Sequence, residues 1–91
     1  MSVRIRIPAA LRQATDGLEV VQVSAATIKV ALQELITRYP VLKERLVDDF
    51  GTVRRFVNVY VNGEDIRFLQ QGETALCEGD EVSIIPAIAG G

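Results

Sequence analysis

Val3, Ile5 and Ile7 alternate with Arg4 and Arg6. That period of two places apolar side chains on one face of a strand. Pro8 closes the run, Asp16-Gly17 is a turn signal, and residues 18–23 (LEVVQV) resume strand-forming sequence. Residues 3–23 are therefore expected to form a hairpin with a long loop. The period then changes. Ile28, Leu32, Leu35, Ile36 and Tyr39 recur at helical spacing, with Lys29, Gln33, Glu34, Thr37 and Arg38 mostly on the other side. Thr27 is the expected N-cap, and Pro40 sets the end because it disfavours helix at Tyr39. Residues 42–47 are expected to form a shorter second helix and residues 48–52 a loop. Residues 56–61 (FVNVYV) predict the clearest strand, with Val57, Val59 and Val61 on one face and Phe56, Asn58 and Tyr60 on the other. Asn62-Gly63 is a strong reversal signal. Residues 64–68 are expected to pair briefly, Glu78-Gly79-Asp80 to turn, and residues 82–85 to form the last strand.

Strands flanking one long helix predict an α+β domain, with the helix packed on one face of a mixed sheet and the other face looking outward. Ninety-one residues support one domain, and a chain of this size buries somewhat over ~60% of its unfolded surface. A net charge of −2 gives no general pull toward nucleic acid or anionic membrane. The N-terminal residues lack the long apolar stretch of a signal peptide, and no apolar run approaches the ~20 residues of a membrane span. The expected location is cytoplasmic.

The chain contains no histidine and one cysteine. Histidine-based nucleophile pairs, histidine zinc sites, thiolate zinc sites and an internal disulfide are all excluded. Carboxylate or lysine chemistry remains open, yet the inventory favours a protein that is acted upon over an enzyme. Cys77 adjoins no cation and no histidine exists to activate it, so it reads as a semi-buried structural residue. Asp48-Asp49 reads as a solvated pair rather than a metal site. Arg54-Arg55 reads equally as a solvated pair or as an anion contact.

The sequence closes on a strand-like run, Pro86, small or apolar residues, and Gly90-Gly91. Glycine lacks a Cβ, so two in succession can thread a narrow channel. Together with the element order, three segments resemble the MoaD/ThiS family of ubiquitin-like sulfur carriers: residues 27–40, which close in Tyr-Pro, residues 56–67, and residues 78–91. Phe56 and the stretch from Pro86 to Gly91 look most like its CysO-like, MoaD-like subgroup.

The resemblance implies a β-grasp fold of four to five strands on one main helix, with a domain over residues 1–85 and a flexible reactive tail over residues 86–91. It implies that an E1-like adenylating enzyme uses ATP to activate the Gly91 carboxylate, which then becomes a thiocarboxylate and donates its sulfur. No cofactor is permanently bound and no metal is required. The implied acceptor is a PLP-dependent cysteine synthase, or next the large subunit of molybdopterin synthase, with a metallopeptidase as a further partner. A protein modifier joined through Gly91 and a non-covalent interaction module remain open readings. Strand parity turns Phe56, Tyr60 and Ile85 outward. With Pro8 and the stems of Arg4 and Arg6 they form the expected docking patch, beside Pro86 at the tail's root. A monomer is expected.

Overall fold

Alternation builds the sheet. In the computed structural model, which describes residues 2–86, β1 (Ser2–Arg6) and β2 (Val20–Ser24) pair antiparallel, with Val3 opposite Val23 and Ile5 opposite Val21. Both apolar pairs point the same way and are buried. β3 (Val57–Val61) carries the same period, buried at Val57, Val59 and Val61. β5 (Glu81–Pro86) lies between β1 and β3, parallel to the first and antiparallel to the second, and β4 (Glu64–Asp65) edges β3. The resulting order is β2-β1-β5-β3-β4. This is the β-grasp arrangement.

α1 (Ile28–Arg38) crosses the inner face and buries Ile28, Ala31, Leu32 and Leu35. Thr27 caps it as expected, its Oγ1 accepting the Val30 N–H at 3.3 Å. Tyr39 leaves the helical region at φ −130° and ψ 77°, as a residue before proline must. α2 (Leu42–Leu46) follows and buries Leu42 and Leu46. One contiguous core results, running from Val3 through Leu35 to Ile84. Among the described residues every buried side-chain nitrogen or oxygen has a partner. Thr15 is one, its hydroxyl placed 3.2 Å from the Arg12 carbonyl and 3.1 Å from that of Leu18.

Within the long loop of the first hairpin, residues Ala9–Thr15 wind into a 3-10 helix that buries Leu11 and Thr15. Two expectations need correction. The strand expected over residues 64–68 stops after Asp65. There the Asp65 carboxylate accepts the Arg67 N–H at 2.9 Å and turns Ile66–Phe68 into a 3-10 turn, a local bond that competes with the ladder. Cys77 is exposed, not semi-buried. Leu76 takes the inward position, and its N–H donates to the Ala26 carbonyl at 2.9 Å.

The outer sheet face and the exit of the last strand

The inward residues of β1, β3 and β5 are consumed by the core, so their alternate residues form the second face of the sheet. β5 lies at its centre. Ile85 stands directly opposite Asn58, and Ser83 opposite Tyr60. In an antiparallel pair the diagonal neighbours on the same face lie ~7–8 Å away, which brings Tyr60 within reach of Ile85. Ile85 is 49% exposed and Tyr60 half-buried. Phe56 is 53% exposed, but it sits in the turn just before β3 rather than in the strand. Phe50 does not pack over these residues: it is itself 92% exposed.

Charge brackets this apolar strip on both sides. Across β1, Arg4 pairs with Glu81 at 2.9 Å, and Arg6 approaches the same carboxylate oxygen at 3.8 Å. Glu81 thus holds two guanidinium groups beside the strip, a role that spacing alone did not reveal. On the other side Asp65 and Tyr60 are register partners. Arg67 reaches back over them, 3.0 Å from the Asp65 carboxylate, and hydrogen-bonds the Asn58 side-chain oxygen. The Arg67 hydrogen bonds hold the Asp65 carboxyl below its ordinary pKa, and Asp65 in turn raises Arg67. Both therefore stay charged across the physiological range. The signal that could have located Arg67 is the two-residue spacing from Asp65, which suits an Asx-type turn.

The bottom of β5 is braced by a second carboxylate. Asp80 accepts the Cys77 N–H at 2.7 Å and the Asn62 amide at 3.0 Å. The Cys77 N–H first, and Asn62 second, lower its pKa. The Asn62 side-chain oxygen accepts the Glu81 N–H at 3.0 Å, so the Asn62-Gly63 turn and the start of β5 are tied together.

Pro86 is half-buried and still in the sheet, paired with Val57. It therefore lies one residue further along the ladder than a strand of residues 82–85 would reach. Proline has no N–H to offer another partner. Gly90 and Gly91 lie outside the described residues. Among the described residues no group of three or more His, Cys, Asp or Glu side chains is placed to hold a metal ion. No helix there is long and apolar enough to cross a membrane.

Comparisons with known proteins agree with this architecture. The sulfur carrier protein CysO of Mycobacterium tuberculosis (strain ATCC 25618 / H37Rv) is 43% identical over 93 residues, covering 100% of both chains. The solved Amycolatopsis orientalis BexX/CysO complex contains a chain that superposes with a TM-score of 0.90 at 39% identity, covering 98% of this chain and 99% of that one. SAMP1 from Haloferax volcanii superposes with a TM-score of 0.86 at 30% identity, over 100% of each chain. Residues 5–91 match the ThiS family as a whole, and the chain belongs to that family of ubiquitin-like β-grasp proteins.

Proposed function

We propose that this protein is a sulfur carrier whose reacting atom is the carboxyl carbon of Gly91. The observation that carries this reading is the full-length likeness to a protein named as a sulfur carrier, in a family match that runs through residue 91. A partner enzyme adenylates the carboxylate with ATP, because a free carboxylate has no adequate leaving group. A donor of sulfide-level sulfur then attacks the acyl carbon, the bond to AMP breaks, and AMP leaves as the thiocarboxylate forms. A second enzyme accepts that sulfur; cysteine synthesis is the favoured destination and molybdopterin synthesis the next. The protein is a co-substrate and supplies no catalytic side chain of its own.

This chain's residues contribute access and docking. Gly90 and Gly91 carry no side chain to obstruct a narrow active site. Pro86, the last described residue of β5, precedes the reactive segment in the sequence. Ile85 and Tyr60, with Phe56 at the margin and the Arg4/Arg6 and Arg67 groups as rims, dock the activating enzyme. Removing Gly91, or adding one residue after it, should abolish ATP–pyrophosphate exchange by that enzyme while the far-ultraviolet circular dichroism stays that of the folded domain. Undiminished exchange would sink the reading.

The likeness to SAMP1, named small archaeal modifier protein 1, supports a second reading, conjugation of Gly91 to lysines of other proteins. The two share the adenylation step and part after it. A carrier gains one sulfur in place of one oxygen, whereas a modifier becomes attached to protein.

A further inference from the structure

A second surface lies beside α1 and meets the outer sheet face at Asp65 and Arg67. An open groove of about 1240 Å³ runs between α1 on one side and the 50–55 and 65–73 segments on the other. Its apolar lining includes Ile36, Val53 and Leu69, which are only partly buried against the core. Around them stand five cations, Lys29, Lys43, Arg54, Arg55 and Arg67. Three acids, Glu34, Asp65 and Glu73, also line the groove, and Asp65 is already paired with Arg67. The groove thus carries a local excess of two positive charges on a chain whose net charge is −2.

Phe50 stands at its mouth, 92% exposed. The loop that displays it is held in shape. The Asp48 carboxylate accepts the N–H groups of Phe50 at 2.9 Å and Thr52 at 3.0 Å, and the Asp48 N–H donates to the Thr52 carbonyl at 2.9 Å. Gly51 turns the corner at φ +80°, where a Cβ would be strained. An aromatic ring displayed on an ordered loop loses little further freedom on binding, and such rings are common anchors of interfaces. The groove also reaches β3 beside the last described residue of β5, because Val57 lines it and is the register partner of Pro86. A protein that engages the residues following Pro86 can span both.

We propose that this groove is a second docking surface, which takes an acidic segment bearing an apolar side chain from a partner protein that also holds the residues following Pro86. The partner's identity as an enzyme of the sulfur-transfer route rests on the carrier reading; the acidic and apolar chemistry of the segment rests on the groove alone. Carboxylates meet the excess cations, and the apolar side chain packs against Val53, Leu69 and the Phe50 ring.

The test is a nuclear magnetic resonance titration of the full chain with an acetylated, amidated peptide, Glu-Leu-Asp-Glu-Ile-Glu. Amide shifts should centre on Lys29, Gly51, Arg54, Arg55 and Gly72 and should weaken as salt rises. The double variant Lys29→Glu with Arg55→Glu should lose about tenfold or more in affinity. Phe50→Ala should lose severalfold. All three side chains are exposed, so circular dichroism should show an intact fold. No shifts at millimolar peptide would overturn the proposal. So would shifts centred on Arg4 and Arg6, or equal binding of the Gln/Asn version of the peptide. Sulfur loading of Gly91, measured separately on the same variants, reports on the carrier reading and does not depend on the peptide result.

Discussion

If the outer sheet face docks the proposed activating enzyme, Ile85→Glu separates docking from folding. Folding has already buried about half of the side chain, since Ile85 is 49% exposed. Full burial of an isoleucine is worth about 1.5–3 kcal/mol, so the half left for a partner is worth roughly 1 kcal/mol. Losing that alone weakens binding about fivefold to tenfold. A carboxylate facing an apolar partner surface adds a desolvation cost of several kcal/mol. The combined loss should exceed about a hundredfold. In the free domain the new carboxylate keeps its water and lies opposite Asn58, so stability should fall by about 1 kcal/mol, the worth of the half already buried, without loss of the fold. Titration calorimetry against the activating enzyme, with urea denaturation of the same sample, reads both numbers. Wild-type affinity would place the partner surface elsewhere. A loss of fold would mean that Ile85 belongs to the core and that the strand parity is wrong.

Tyr60→Ala, measured in the same titration, should weaken binding less than Ile85→Glu does, because Tyr60 is already half-buried and has less left to bury. Leu35→Ala removes a fully buried side chain from the helix face that meets the sheet, and should lower stability by about 2–5 kcal/mol in urea denaturation; a loss under about half a kilocalorie would contradict the packing. Gly63→Ala forces a Cβ onto a backbone at φ +89° and should cost about 1 kcal/mol or more. Asp80 has a pKa lowered by its bonds to Cys77 and Asn62, so its contribution is present above the ordinary aspartate range and is lost as pH falls through its folded-state value. The stability gap between wild type and Asp80→Asn should therefore close on acidification below that range, and a gap independent of pH would contradict the assigned bonds.

The strong periodicities in the sequence correspond to the strong elements of the fold. Val3, Ile5 and Ile7, the Ile28-to-Leu35 stripe and the three valines of β3 are all buried where alternation or helical spacing puts them. Their side chains have one favourable face, and burial selects it. What escaped sequence reading is decided by single hydrogen bonds that leave no periodic trace. The 3-10 helix of Ala9–Thr15 depends in part on Thr15 and Arg12 bonding to nearby carbonyls. Termination of β4 depends on the Asp65 carboxylate. Cys77 is exposed because Leu76 took the one inward position before the turn. The outward parity of Tyr60 and Ile85 was legible, because it follows from the inward parity of their neighbours. The rims were not, since a long arginine can reach in several directions, and only tertiary placement brings Arg67 to Asn58 or both Arg4 and Arg6 to Glu81.

The proposed sulfur loading of Gly91 is read by intact-protein mass spectrometry after incubation with ATP, the activating enzyme and a sulfide-level sulfur source. The mass should rise by the difference between one sulfur and one carboxyl oxygen. Fragmentation should place it on Gly91, and a chain lacking that residue should not show it. An unchanged mass, or a gain located on Cys77, would contradict the account; attachment to another protein would instead establish the modifier reading.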